Sequence, residues 1–420
     1  MKKHWWNPLS WGTKSSGDSF ISQLLKLNNA SWSGRTYVAF ATEAFRDNST
    51  VRACLQHVNR AAKSLPIKLV DPSGKVVPKH PILDLLKHPN NVQTGANFIE
   101  NVVTSRFLGG EAPILALRIS ENRPPDELWV LRPDWLQAQR ITNISVDYWT
   151  YSPAESQSKL ATTIPPEDLF MWAEFNPLEP MRGMSVLWSV AKEIDILNQY
   201  NVANKSLLDN GVQPSGVFST AQELKTDPFN RLKAQIDEKY GGAGNNGRPL
   251  LLEGGLAWQA SGLTMRDAEF LGGTKQSQLA VCRTMGVPEQ IMGFEGSKTF
   301  ANYETARAAL YEDTAIPLVN DLLLGFLNWL APCYKDLAKG GYTLCVDVDS
   351  VPALEVRRTE RNKAVDAMTS LKINEKRQAM GYEDDPDGDV ILVDASKVPL
   401  ELAGADVPMG TSAGGTGNAN

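Results

Sequence analysis

The spacing of apolar positions changes several times along the chain, and each change predicts a different element. Over residues 48–62 (NSTVRACLQHVNRAA), Val51, Leu55, Val58 and Ala62 recur at the interval of one helical face. Residues 66–70 then read as a strand, Asp71-Pro-Ser-Gly74 marks a tight turn, and 75–77 return as a second strand, which predicts a hairpin. A short helix or turn over 80–88 follows, then a helix over 97–108 ended by Gly109-Gly110. Strands are expected at 112–119, 128–132, 137–141 and 147–151, with the strand-rich section closing at Pro165-Pro166.

The second half is organised by longer helices. Val186, Val190, Ile194, Leu197 and Val202 trace one stripe over residues 185–208, and Asn210-Gly211 supplies a stop. A strand at 216–218 comes next, then a helix over 228–240 opened by Asp227 as cap with Pro228 in its first turn. A glycine-rich tip at 241–247, a strand at 249–252 and a Gly254-Gly255 turn lead to a helix over 266–285. A loop at 294–300 separates that helix from another over 302–330. Pro317 lies inside the last one; it removes a backbone donor and crowds the preceding turn, so a kink is expected. A strand at 343–348, a helix over 353–371 and a short helix from an N-cap at Asn374 to Gly381 complete the pattern. The fold class is α+β.

The ends differ from the rest. The first 34 residues are rich in Ser, Asn, Gly and Trp; Trp5, Trp6 and Trp11 need either local collapse or burial on an adjacent molecule. The tail from Gly404 has too little apolar surface to order, and residues 401–420 are expected to be disordered.

Composition narrows the class. At 420 residues, with ~150 as a soft prior per domain, two or three domains are expected. A 42% hydrophobic and 21% charged content is globular. The net charge of −6, from 42 Lys+Arg against 48 Asp+Glu, argues against a whole surface that grips nucleic acid. Cys54, Cys282, Cys333 and Cys345 form no C-x-x-C pair, which argues against a disulfide scaffold or a cysteine zinc site and fits a reducing compartment. The start, MKKHWWNPLSWG, lacks the apolar run of a secretory signal, and the apolar stretch at 322–330 falls short of the ~20 residues that span a bilayer. A soluble chain made inside the cell, with no membrane partner, is expected.

A search for catalytic motifs returns little. The glycine cluster at 241–247 lacks the Lys-Ser/Thr of a phosphate-binding loop, and Gly183-Met-Ser185-Val-Leu lacks the closing glycine of a nucleophile elbow. His80 and His88 flank prolines and read as surface or turn residues rather than metal ligands. Glu383-Asp-Asp-Pro-Asp-Gly-Asp389 places its glycine wrongly for an EF-hand and reads as a solvated turn. Asp347 and Asp349 are expected on one face of a strand, the geometry of paired carboxylates, without a partner acid, base or nucleophile. No catalytic residue, metal or cofactor is assigned.

The order of segments is more informative than any one of them. Pro180-Met-Arg-Gly-Met-Ser185 opens a long helix and Gln213-Pro-Ser-Gly-Val-Phe218 follows it. Then come the run at 248–258 (RPLLLEGGLAW), Met285-Gly-Val-Pro-Glu-Gln-Ile-Met-Gly293, and Tyr311-x-x-Thr314-x-x-Pro317. Over residues 35–399 this arrangement resembles the portal proteins of tailed bacteriophages. The chain departs from the family's common pattern at Met285, where an aromatic is frequent, and at Glu289 and Val186, where prolines are frequent.

The resemblance implies a ring, usually of twelve identical subunits, at one vertex of a virion assembled in the bacterial cytoplasm. Double-stranded DNA passes through it without sequence preference. The terminase large subunit docks on it during packaging, the major capsid protein or scaffold surrounds it, and a tail connector or adaptor later replaces the motor. By order, the resemblance implies an N-terminal arm (1–34), an α/β wing (35–184), a first stem helix (185–211), a small α/β clip (212–265) and a second stem helix (266–290). A tunnel loop (291–301), a kinked wing helix (302–340), a helical crown (341–400) and the tail then follow.

Around a ring every inward-facing charge is multiplied, and each phosphate-contacting Lys or Arg adds a salt-dependent increment of affinity. A conduit must let DNA slide, which an acidic chain allows. In the loop, Glu295 and Lys298 are the only charges, Gly296-Ser297 gives mobility, and Lys298, Thr299 and Phe300 are expected nearest DNA. Lys192, Lys205 and Lys275 are the stem-helix candidates. Two other classes remain open on sequence: a soluble α+β hydrolase or transferase using Asp347, Asp349 and Asp385, and a small adaptor for protein partners.

Overall fold

A computed structural model describes residues 34–120, 123–140, 146–153, 162–209, 216–220, 231, 256–260, 270–294, 300–382 and 384–391. The expectations for residues 1–33, 241–247, 249–252 and the C-terminal tail lie outside them, as does that for 228–240 apart from residue 231. The chain divides into two compact units, Met1–Val346 and Asp347–Asn420.

In the first unit, helix α1 (Ser49–Lys63) forms where its apolar period predicts. Asn48 starts it, its Oδ1 accepting from the Thr50 and Val51 amides at 3.1 Å each. Val51, Leu55, Val58 and Ala62 are fully buried, as expected, together with Cys54. The hairpin of β1 (Ile67–Val70) and β2 (Val76–Val77) turns on Asp71, whose Oδ1 accepts from the amides of Ser73 and Lys75, with Gly74 at φ +85°. Helix α2 (Pro81–Lys87) is capped by His80, which is buried rather than at the surface. Its Nδ1 accepts from the Ile82 amide at 3.1 Å, so Nε2 carries the proton and donates to Asp336 at 2.8 Å. Helix α3 (Gly95–Gly109) begins two residues before the expected start because Thr94 caps it, and it ends at Gly110, φ +79°.

Two three-stranded antiparallel sheets follow, with orders β4-β3-β8 and β5-β6-β7. Their strands are β3 (Glu111–Leu117), β4 (Glu127–Val130), β5 (Leu136–Arg140), β6 (Val146–Tyr151), β7 (Thr162–Ile164) and β8 (Leu169–Ala173). The strand section therefore does not close at Pro165-Pro166. That pair separates β7 from β8, and β8 joins the central strand β3. Leu136, Trp149, Ile164 and Leu169 form a buried cluster in which β8 meets the second sheet.

The expected first long helix starts late. Ser185 caps a 3-10 turn at Val186–Trp188, and α4 (Ala191–Asp209) begins after it. Strands β9 (Gly216–Thr220) and β10 (Leu256–Ala260) pair antiparallel; β10 lies just after the glycine turn, where no strand was expected. Helices α5 (Phe270–Thr284) and α6 (Phe300–Ala309) come next; α6 runs through a π-helical stretch, Leu310–Ala315, into α7 (Ile316–Leu330). Where a kink was expected at Pro317, the helical run carries that π turn just before the proline. The Ile316 amide reaches back five residues to the Tyr311 carbonyl, and the wider turn makes room for the proline ring. Strand β11 (Thr343–Val346), placed with the crown by its position in sequence, pairs with β1 in the first unit, Ile67 opposite Val346.

Residues Asn302–Cys333 form one run of 32 residues long and apolar enough to cross a membrane, which the shorter stretch seen in sequence did not suggest. One stripe of its apolar side chains lies in the core, while Leu324 is 55% exposed. Leu322, Leu323, Phe326 and Leu330 are at most 1% exposed, and α7 packs on β8 and β11. The Phe326 ring lies 5.5 Å from Phe170 and 6.3 Å from Phe98. Gly325 permits the approach, since a Cβ there would stand 2.4 Å from Phe170 Cζ.

In the second unit, β11's predicted continuation is absent. Val348–Ser350 form a 3-10 turn, so Asp347 and Asp349 do not share a strand face. Helix α8 (Glu355–Ala367) ends before the expected residue 371, and α9 (Ile373–Ala379) is preceded by Lys372, not capped by Asn374. The Asn374 side chain instead clasps the next turn, Oδ1 accepting from the Asp385 amide at 2.8 Å and Nδ2 donating to its carbonyl at 3.0 Å.

Because Phe326 joins α3, β8 and α7 in one aromatic cluster, Phe326→Ala is expected to cost about 3–5 kcal/mol. Chemical denaturation followed by tryptophan fluorescence measures it; a loss under about 1 kcal/mol would mean that the cluster does not hold these elements together.

Candidate channel surface and the junction that aims it

The motif Pro180-Met-Arg-Gly-Met-Ser185 is where the sheets hand over to α4. Two backbones cross there. A Cβ on Gly183 would stand 1.9 Å from the Gly110 carbonyl oxygen, and one on Gly110 would stand 2.4 Å from Met184 C and Ser185 N. Only glycine fits at either position, and Gly110 also holds a left-handed φ. Beside the crossing, Glu111 is 1% exposed. Arg182 pairs with it at 2.5 Å and the Gly183 amide donates to it at 2.8 Å. Burial pushes the Glu111 carboxyl up, while Arg182 and the amide pull it the other way. The same guanidinium donates to the carbonyls of Leu136 and Pro133 at 3.0 Å each, reaching the second sheet. Ser185 finishes the junction, donating to the Phe107 carbonyl at 2.6 Å and accepting from the Leu187 amide.

From this junction α4 leaves the body. Val190, Ala191, Ile194 and Leu197 are buried, whereas no described side chain from Gln199 to Lys205 is. Asn198 ties α4 back to that body. It accepts from Asn48 Nδ2 at 3.0 Å and donates to the Glu43 carbonyl at 2.8 Å, so the α1 cap also grips α4. Helix α5 packs on α4 and α1 and is buried towards its C-terminal half at Leu279, Val281, Cys282 and then Met285. Lys192, Lys205 and Lys275 are all exposed on this pair, and Ile196 and Val202 expose apolar surface at 46% and 61%.

The segment after α5 holds the base of the expected loop. Gly286 takes φ +67°, and Thr314 of the π-helical stretch donates to its carbonyl at 2.7 Å. Tyr311, one turn away, contacts Ser64 at 3.1 Å. Thus Tyr311, Thr314 and Pro317, met in sequence as a motif, build the π turn and tie it to α1 and α5. Residues 288–293 form successive turns, and Gly293 has φ +74°. Glu295, Gly296, Ser297, Lys298 and Thr299 lie outside the described residues, and Phe300 opens α6 instead of ending the loop.

The carboxylates considered for chemistry are locally engaged. Asp349 pairs with Arg361 at 2.9 Å, Asp347 accepts from Ser350, and Asp385 accepts from the Asp387 amide at 3.0 Å. Among the described residues no three His, Cys, Asp or Glu side chains are grouped to hold a metal ion. Sequence reading did not single out Glu111, Asn48 or Asn198. Glu111 carried the one available signal, an acid directly after Gly109-Gly110 in an otherwise apolar strand.

Comparison with known proteins now decides the family. A model described as phage portal protein matches residues 49–381. The chain belongs to the phage portal protein family. An uncharacterized protein of Rickettsia bellii is 30% identical over 396 residues, covering 93% of this portal chain and 100% of its own length. The neck of an empty gene transfer agent particle, computed with C6 symmetry, contains a chain 27% identical with a TM-score of 0.65, covering 85% of this portal chain and 96% of that one. A HK97 family phage portal protein from Corynebacterium diphtheriae shares the fold at 11% identity and TM-score 0.53, covering 77% and 99%.

Removing Arg182 leaves Glu111 buried without its countercharge, so Arg182→Ala is expected to cost about 3–5 kcal/mol. The pair Arg182→Met with Glu111→Leu should lose less than the sum of its single variants in denaturant melts. Additive losses would show that the two side chains do not act as a unit.

Proposed function

We propose that this portal protein closes into a homo-oligomeric ring, of twelve subunits in the assembled particle, at one vertex of a virion or virion-like head. Double-stranded DNA enters and leaves through its centre. One observation carries the reading: similarity over 86% of the chain, at 26% identity, to a subunit in a native gene transfer agent neck computed with C12 symmetry. In this arrangement α4 and α5 are the stem, the β9–β10 strand pair belongs to the clip, and the loop at 291–301 faces the channel. The terminase large subunit, a tail connector or adaptor, and the capsid protein or scaffold are its docking partners. The role is structural, with no chemistry of its own.

The geometry agrees with a stem that needs neighbours. Beyond Asn198, α4 has no buried described side chain within its own chain, and Ile196 and Val202 leave apolar surface exposed on it that packing on an adjacent copy would cover. In a ring the contact is heterologous, one face of each subunit meeting a different face of the next, and it closes by rotation. Lys192, Lys205 and Lys275 give the stem a sparse basic lining, and Lys298 the loop.

The test is Lys298→Ala in a packaging system. Rings are expected to form as in the parent, while the amount of DNA packaged or retained changes by at least several-fold and depends less on salt. Failure of rings to form would place Lys298 in a subunit interface; unchanged packaging at every salt concentration would remove the loop from contact with DNA.

A further inference from the structure

Two of the four cysteines meet in the core. Cys54 lies on α1 and Cys282 on α5, 228 positions apart in sequence, yet their sulfurs are 3.6 Å apart and the residues are 0% and 1% exposed. Met292, on the turns that lead to the loop, covers the pair with its sulfur 3.9 Å from Cys54, and it is itself only half-buried. Both cysteines are free thiols.

We propose that Cys54 and Cys282 are a redox-modification site, a dithiol that a small hydroperoxide converts to a disulfide stapling α5 to α1. The sulfurs need to approach by about 1.5 Å to reach bonding distance, within the reach of side-chain rotation and slight helix adjustment. The Cys54 S–H bonds to Cys282 and holds the Cys282 thiol below its ordinary pKa; that hydrogen bond and burial push Cys54 up. With the proton of the shared hydrogen bond on Cys54, Cys282 supplies the attacking thiolate. Its thiolate attacks the peroxide oxygen, the O–O bond breaks and water or an alcohol leaves, giving a sulfenic acid at Cys282. The Cys54 thiol then attacks that sulfur, the S–O bond breaks and water leaves. Two thiols are oxidised and one peroxide is reduced. Met292, with its flexible thioether chain, is the lid that sets the rate of entry. The cross-link would tie the second long helix and the base of the loop to α1, fixing a segment that is otherwise held by packing and by Thr314.

The full chain, purified reduced and freed of reductant, is exposed to a few equivalents of hydrogen peroxide, alkylated in guanidinium and digested without reduction. The expected product is a peptide joining Cys54 to Cys282, about 2 Da lighter than the sum of its parts. Cys54→Ser should give none, and Met292→Ala should give the same cross-link several-fold faster. Full alkylation of both Cys54 and Cys282 after treatment, in the parent and in Met292→Ala alike, would overturn the proposal. So would cross-links that join either residue only to Cys333 or Cys345.

Discussion

A buried charge pair beside a crossing of two glycine backbones is the constraint on which the arrangement of the larger unit rests. Glu111 begins the central strand of one sheet, Arg182 reaches from it to two carbonyls near the start of the other, and Gly183 lies on Gly110 with no space for a side chain. An isolated carboxylate at 1% exposure would be costly. Its guanidinium and the Gly183 amide offset that cost only when the chain entering α4 takes one path. The path by which the chain enters the first long helix is therefore set by polar satisfaction and steric exclusion together.

A second constraint works on the other side of the fold. Pro317 cannot sit comfortably in a regular helix, and the π turn that accommodates it presents Tyr311 and Thr314 outward to α1 and the end of α5. A residue type that looks disruptive in isolation becomes the attachment point for the segment that precedes the loop. Arg106 serves a similar bridging role: it stacks on Trp172 and pairs with Glu174 and Asp321, linking α3, β8 and α7.

Much of this was legible in the chain, and the failures have physical causes. Helix α1 and the β1–β2 hairpin follow from a clean period and a turn with Asp71 and Gly74 at the required places. Strand β8 was missed because its LFMWA run is apolar on both faces and follows two prolines, which read as a terminus. The carboxylate pair at Asp347 and Asp349 depended on two further residues of strand, but pairing with β1 stops at Val346 and the backbone turns. His80 looked like a turn residue because its cap on Ile82 is local, while the bond that holds it in the core reaches Asp336, 256 positions away. The five ordered motifs pointed to the family correctly, while the reason for two of them, a backbone crossing and a π turn, is visible only in three dimensions.

The central claim is that exposed helices extending from a rigid junction are completed by identical neighbours around an open axis. Single-particle imaging of the purified full-length chain tests this most directly. The account predicts top views with rotational symmetry and a central opening wide enough for a DNA duplex, α4 and α5 lying around it. Compact single subunits or closed dimers with no aperture, at concentrations and in the company of capsid or scaffold partners where assembly should occur, would contradict it.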